Sequence, residues 1–169
     1  MTLHIRPLSS IDSAAFKTMR LEAILSSPNA IWATYDEVSA QSLDAITARI
    51  EQDTNQIVFG AIDGDQPVGI AGLRREPLAQ VAHKAVLWGV YVDANRRKEG
   101  IARQLFSCVR SHAMEIGVLQ IMLSVNVEND KAKSLYESLG FLTFGVEPRS
   151  MRVGDLFFAE EHMILRLDK

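Results

Sequence analysis

Between Ala82 and Val127 the spacing of apolar residues changes twice, and no other stretch of the 169-residue chain restricts its fold as tightly. Ala82 to Val92 (AHKAVLWGVYV) is a mostly apolar run of strand character. From Gly100 the period lengthens: Ile101, Leu105, Val109 and Ala113 recur every four residues, which predicts an amphipathic helix ending near Gly117. Leu119 to Val127 (LQIMLSVNV) returns to a strand pattern, and Asn129 to Leu139 predicts a short helix stopped by Gly140. A strand–helix–strand–helix centre commits the chain to an α/β architecture.

The flanks read as antiparallel additions. Leu3, Ile5 and Pro7 suggest a first strand that ends at the proline. Helical stretches follow from about Ser10 to Ser27-Pro28-Asn29, and after Ser39 with Leu43, Ile46 and Ile50 on one face. Gln56 to Ile62 and Pro67 to Leu73, joined by Asp63-Gly64-Asp65, predict a hairpin. Phe141 to Val146 and Leu156 to Leu167 supply two last strands. No linker, repeat or low-complexity segment interrupts this order, so one domain over residues 1–169 is expected.

Composition removes several classes of function. Apolar residues at 47% and charged residues at 23% are those of a globular domain, not a disordered or fibrous chain. With 18 Lys plus Arg against 21 Asp plus Glu, the chain lacks the basic surplus of a nucleic-acid binder, so no nucleic-acid partner is expected. Nothing approaches the roughly 20 apolar residues of a membrane span, and the first residues do not resemble a signal peptide. A lone cysteine, Cys108, fits a reducing compartment, and a cytoplasmic location is expected. His4, His83, His112 and His162 have no ligand spacing, so no metal is expected.

The residues that carry chemistry begin where the central strand meets its helix. Val90-Tyr91-Val92 runs into a basic turn, Arg96-Arg97-Lys98, and Gly100 opens the helix. The first N–H groups of a helix have no internal partner and lie at the positive end of its dipole, so a turn of this kind can cradle a pyrophosphate. Glycine lets the anion reach the backbone, and small Ala102 does the same a little further in. Neither G-x-x-x-x-G-K-[ST] nor a G-x-G-x-x-G after a first strand is present. A solvated basic helix start is the plainer reading of the turn taken alone.

Arg97-Lys98-Glu99-Gly100-Ile101-Ala102 resembles the R/Q-x-x-G-x-G/A signature of the GNAT N-acetyltransferase superfamily. Downstream, the run from Asn126 to Phe141 is similar to that superfamily's N-x-x-A-x-x-L-Y-x-x-L-G-F motif. The resemblance implies a mixed, mostly antiparallel sheet of six to seven strands flanked by about four helices, with two central strands splayed apart. It implies acetyl-CoA as co-substrate and an amine of a small molecule or peptide as acceptor. It implies that Val90, Tyr91 and Val92 offer main-chain hydrogen bonds to the pantetheine arm. Arg97, Lys98, Glu99, Gly100, Ile101 and Ala102 would hold the pyrophosphate, and a homodimer would form through the C-terminal strands.

Asn129 is placed to cap the last helix, and by resemblance also to bond the coenzyme arm; Asn126 would orient substrate or cofactor. Tyr136 is the candidate proton donor to the departing thiolate, against a packing role with Leu135 and Leu139. Trp32, Tyr35 and Trp88 are candidates to line the acceptor pocket, with core packing as the other reading. Many relatives carry a glutamate on the strand before the phosphate turn, but Ala85 to Val90 has no carboxylate. Glu22, His83 and Glu161 are the fallback bases, and a coenzyme-binding module without turnover is the rival to catalysis. Loops at residues 26–37 and 149–161 are expected to shape the acceptor pocket.

Overall fold

A computed structural model describes residues 2–169. In chain order the elements are β1 (Leu3–Pro7), α1 (Ser13–Ser26), α2 (Tyr35–Ala40), α3 (Leu43–Ile50), β2 (Gln56–Asp63), β3 (Gln66–Arg75) and β4 (Lys84–Val92). They continue with α4 (Ile101–Glu115), β5 (Gln120–Asn126), α5 (Asp130–Ser138), β6 (Leu142–Val153) and β7 (Leu156–Arg166). The strands form one sheet ordered β1-β2-β3-β4-β5-β7-β6, antiparallel except between β4 and β5. Among the described residues no helix is long and apolar enough to cross a membrane, and no His, Cys, Asp and Glu cluster could hold a metal ion.

Two cores sandwich the sheet. On one face Leu105, Val109 and Ala113 of α4 pack on Ala61, Leu73, Ala85 and Ile121, with Phe141 beneath α5. On the other, Phe16 and Met19 of α1 and Ile46 and Ile50 of α3 cover Val58, Ile62 and Ile70. The four-residue repeat read for α4 is thus its buried stripe.

Three expectations are corrected. A further helix, α2, begins at Tyr35, within the segment 26–37 expected to be a loop. Its signal is a capping box: Thr34 Oγ1 accepts from Glu37 N–H at 3.2 Å, and Glu37 Oε2 accepts from Thr34 N–H at 2.8 Å. Strand β6 runs on to Val153 rather than ending at Val146, because a register shift between Glu147 and Met151 absorbs Pro148 without ending the pairing with β7. Residues 149–161 are therefore largely a hairpin and not a loop.

Strands β4 and β5 are paired over only three residues, Lys84↔Gln120 to Val86↔Met122. Beyond them β4 stays on β3 as far as Val92↔Gly69, and β5 stays on β7 as far as Asn126↔Glu160. The two strands part between these attachments. A bulge sits at the fork, where the β3–β4 register shifts and Gly89 takes φ 66°. That left-handed backbone is open to glycine at little cost.

Candidate active site

The bulge decides what β4 shows to the gap. Val90 and Val92 pack toward the α4 core, whereas Trp88 and Tyr91 pack toward the α1 core. The extra residue at Gly89 has reset the alternation. Asp93 N–H bonds the Val68 carbonyl at 2.9 Å, and Tyr91 stands opposite Ile70. Antiparallel alternation then turns the N–H and C=O of Tyr91 to β3, and those of Val90 and Val92 into the gap. Of the three residues read as backbone donors, two face the opening and Tyr91 presents its ring.

The gap leads to the N-terminus of α4. Gly100, the residue before the helix, has φ 77° and offers no side-chain cap, and the first intrahelical bond runs from Gln104 N–H to the Gly100 carbonyl at 3.1 Å. The N–H groups of Ile101, Ala102 and Arg103 therefore lack helical partners, while the Ile101 side chain is 2% exposed and anchors the turn in the core. Arg97 reaches back, donating from Nε to the Val92 carbonyl at 3.3 Å, with its guanidinium 5.9 Å from the Tyr91 ring centre. Arg97 and Lys98 are exposed. Arg96 belongs to the turn itself: it pairs with Asp63 and, at 3.0 Å, with Glu99, and these bonds raise its pKa further. Glu99 braces that turn.

Tyr136 of α5 packs edge-on against Phe141, 5.8 Å between ring centres, and burial pushes its phenol up to about 12. Its hydroxyl donates to no acceptor among the described residues. Asn129 caps α5, its Oδ1 accepting from Ala132 N–H at 3.2 Å. Asn126, 4% exposed, has both ends of its amide engaged: Nδ2 donates to the Asn29 carbonyl at 2.9 Å and Oδ1 accepts from Glu128 N–H at 2.9 Å. It ties the end of β5 to the loop after α1.

The aromatic candidates separate. Trp32 is 72% exposed and donates from Nε1 to Glu160 Oε1 at 2.7 Å. Tyr35 is exposed at the start of α2. Trp88 lies partly buried against Phe16, with the Arg49 guanidinium 4.6 Å from its ring centre.

The fallback bases lie elsewhere. Glu161 faces the α5 side, where its ion pair with Lys133 at 2.8 Å and a bond from Thr143 hold its carboxyl below the usual range. His83 precedes β4 at the closed end of the fork, and its carbonyl accepts from Leu119 N–H at 2.8 Å. Glu22 is exposed on α1.

One residue along β7 the phase reverses. Glu160, 5% exposed, shares the Asn126 face. His162 lies there too, its Nδ1 sharing a hydrogen with Ser124 Oγ at 2.8 Å and its Nε2 3.1 Å from Glu147 Oε2. Neither was singled out as a base from sequence; the signal available was the alternation along β7, once its inward set was fixed by Met163 and Leu165. A shallow cleft between α4 and the β1–β2 edge, lined by Pro7, Phe59, Cys108 and His112, carries none of these groups.

The site is a forked sheet whose free edge runs into an uncapped helix N-terminus, an architecture with strand-like and anion-binding donors side by side. Residues 21–141 match the Acetyltransferase (GNAT) family, and the chain belongs to that family. Among curated relatives it is 31% identical over 98 residues to GCN5-related N-acetyltransferase 7, chloroplastic, of Arabidopsis thaliana, covering 56% of this chain and 36% of that protein. It is 34% identical over 61 residues to mycothiol acetyltransferase of Kocuria rhizophila, covering 36% of this chain and 20% of that protein. The chain thus spans about a third or less of these curated relatives.

Among solved structures, yncA of Salmonella typhimurium, described as a putative acetyltransferase with its cofactor acetyl-CoA, superposes with TM-score 0.85. The identity is 22%, with 100% of this chain and 96% of that one covered. A ribosomal-protein-alanine N-acetyltransferase of Brucella melitensis gives 0.84 at 24%, covering 98% and 100%. At these identities the likeness is one of fold.

Proposed function

We propose that this chain transfers an acetyl group from acetyl-CoA to an amine by direct attack within a ternary complex. The observation that carries the reading is the continuity of the β4 edge at Val90 and Val92, which no strand pairs on the side of the gap, with the uncapped N-terminus of α4. Acetyl-CoA, when bound, supplies the acyl group as a thioester and a thiol as leaving group.

The residues present fit that ligand. Val90 and Val92 have backbone groups to pair with an extended amide-bearing arm, and a Val90 N–H is the donor for the thioester carbonyl. The N–H groups of Ile101, Ala102 and Arg103, with the charges of Arg97 and Lys98, suit a diphosphate. Tyr136, kept protonated by its surroundings, donates a hydrogen bond to the departing sulfur, whose thiol would titrate near 8.5 in water. Glu160 and His162, on the face opposite α5, are the groups that accept the acceptor's proton, directly or through water. They supply the base that β4 lacks, which favours turnover over a silent coenzyme-binding module.

Two measurements on the purified chain test this: calorimetric titration with acetyl-CoA, and thiol release with a panel of amines. Binding and release are both expected. Tyr136→Phe is expected to lower kcat by about 100-fold while the acetyl-CoA Kd stays within about twofold. A chain that binds no acetyl-CoA sinks the reading.

A further inference from the structure

Arg20, in the middle of α1, is 8% exposed, and its guanidinium makes no hydrogen bond or ion pair among the described residues. Burial, and after it the charge of Arg49, lowers its pKa to about 10. A buried cation with no counter-charge is costly and persists where something outside the fold completes it. Its nitrogens are not sealed, for among the described residues the fully enclosed unpartnered polar side-chain atoms are only Asp63 Oδ1 and Ser150 Oγ.

Its position is specific. A Cβ built on Gly89 would lie 3.6 Å from Arg20 Nη1, so the guanidinium abuts the bulge at which β4 leaves β5. Its Cζ is 6.0 Å from the Trp88 ring centre, and the same ring carries the Arg49 guanidinium at 4.6 Å. Arg74 adds a third charge beside Arg49 and depresses its pKa, though less than burial does. No carboxylate pairs with any of the three among the described residues, in a chain whose net charge is −3. On the far side of the gap, two strands from β4 and on the sheet face away from α4, Glu160 of β7 carries the opposite sign under Trp32.

We infer that the α1 side of the fork is an acceptor site for an amine that carries its own carboxylate, an amino-acid-type zwitterion, with the anion on Arg20 and the amine toward Glu160. This rests on the acetyl-transfer reading and gives it a substrate class. A guanidinium fixed by Trp88 and the bulge offers a carboxylate a planar donor pair whose ordering cost has been met in folding. Cationic acceptors without a carboxylate, such as polyamines, meet repulsion there from Arg20, Arg49 and Arg74.

The experiment measures thiol release, at saturating acetyl-CoA, for the L-amino acids each paired with its carboxamide. At neutral pH the amide's amine is the less protonated of each pair, so intrinsic reactivity favours the amide and a preference for the acid reads recognition. For the best pair kcat/KM is expected to favour the acid by tenfold or more. Arg20→Met should bring that ratio within about twofold, mainly through KM. Because it removes an uncompensated buried charge, it should also raise Tm by about 2–4 °C. Arg20→Lys, which keeps the charge but not the planar pair, is expected to fall between.

Equal use of acid and amide, an acid preference that survives Arg20→Met, or no turnover of any pair by protein that binds acetyl-CoA overturns the inference. A lower Tm for Arg20→Met assigns the residue to the scaffold and overturns it as well. Failure to bind acetyl-CoA counts instead against the acetyl-transfer reading.

Discussion

Tyr136 illustrates how surroundings can suit a residue to one half of an acid–base task. A phenol packed against Phe141 and pushed up to about 12 stays protonated at every pH at which a thioester and a protein coexist comfortably. In the reaction proposed above it would be a poor source of a free proton but a dependable hydrogen-bond donor to the departing sulfur. The same burial has a consequence for stability. The folded-state value lies above the ordinary 10, so the phenol's contribution is intact below about pH 10 and is lost as pH rises through 12. Between pH 9.5 and pH 11.5 the wild type should lose about 1.5–2 kcal/mol more unfolding free energy than Tyr136→Phe. Urea melts of both proteins at pH 9.5 and pH 11.5 measure the difference, and equal losses would mean that the phenol is hydrated in the fold.

At the scale of elements, the turn before α4 divides its charges between two jobs. Arg96 is committed to Asp63 and Glu99, which fixes the turn, and Arg97 and Lys98 remain at the surface beside the free N–H groups. Arg97→Ala and Lys98→Ala should each weaken acetyl-CoA about five- to tenfold at low salt, and the deficit should shrink several-fold by 0.5 M salt. Calorimetry across that salt range checks it; an effect indifferent to salt would place those side chains away from the phosphates.

This turn was legible because its helix is amphipathic, its glycine stands at the N-cap, and both features are local. The capping role of Asn129 and the strand at Leu119 to Val127 were local too. What escaped was set by pairing. The β7 phase separates Glu160 from Glu161 by one residue, and the alternation that tells them apart becomes usable only once packing fixes which residues of β7 point inward. The course of β6 past Pro148 depends on a bulge that its partner tolerates. Arg20 reads on sequence as one polar residue of an amphipathic helix, because its isolation is a property of what fails to reach it. Only α2 was missed with its signal in plain view, the capping box from Thr34 to Glu37.

At the scale of the whole molecule, the sheet is nearly two pieces. One carries β1 to β4, the other β5, β7 and β6, and the ladder joining them is three residue pairs long, supplemented by α4 and the core beneath it. A ligand lying in the fork as a strand extends that ladder and draws the halves together, so binding and stability are linked and Tm should climb with acetyl-CoA concentration. The register sharpens this to single amides. Val90 and Val92 face the gap, while Tyr91 is already opposite Ile70. Hydrogen exchange followed by NMR should therefore show Val90 and Val92 slowed at least tenfold by acetyl-CoA, with Tyr91 protected in both states. Uniform slowing of all three would indicate tightening of the whole fold without strand-like pairing. No change at Val90 and Val92, with acetyl-CoA demonstrably bound, would mean that the ligand lies outside the fork.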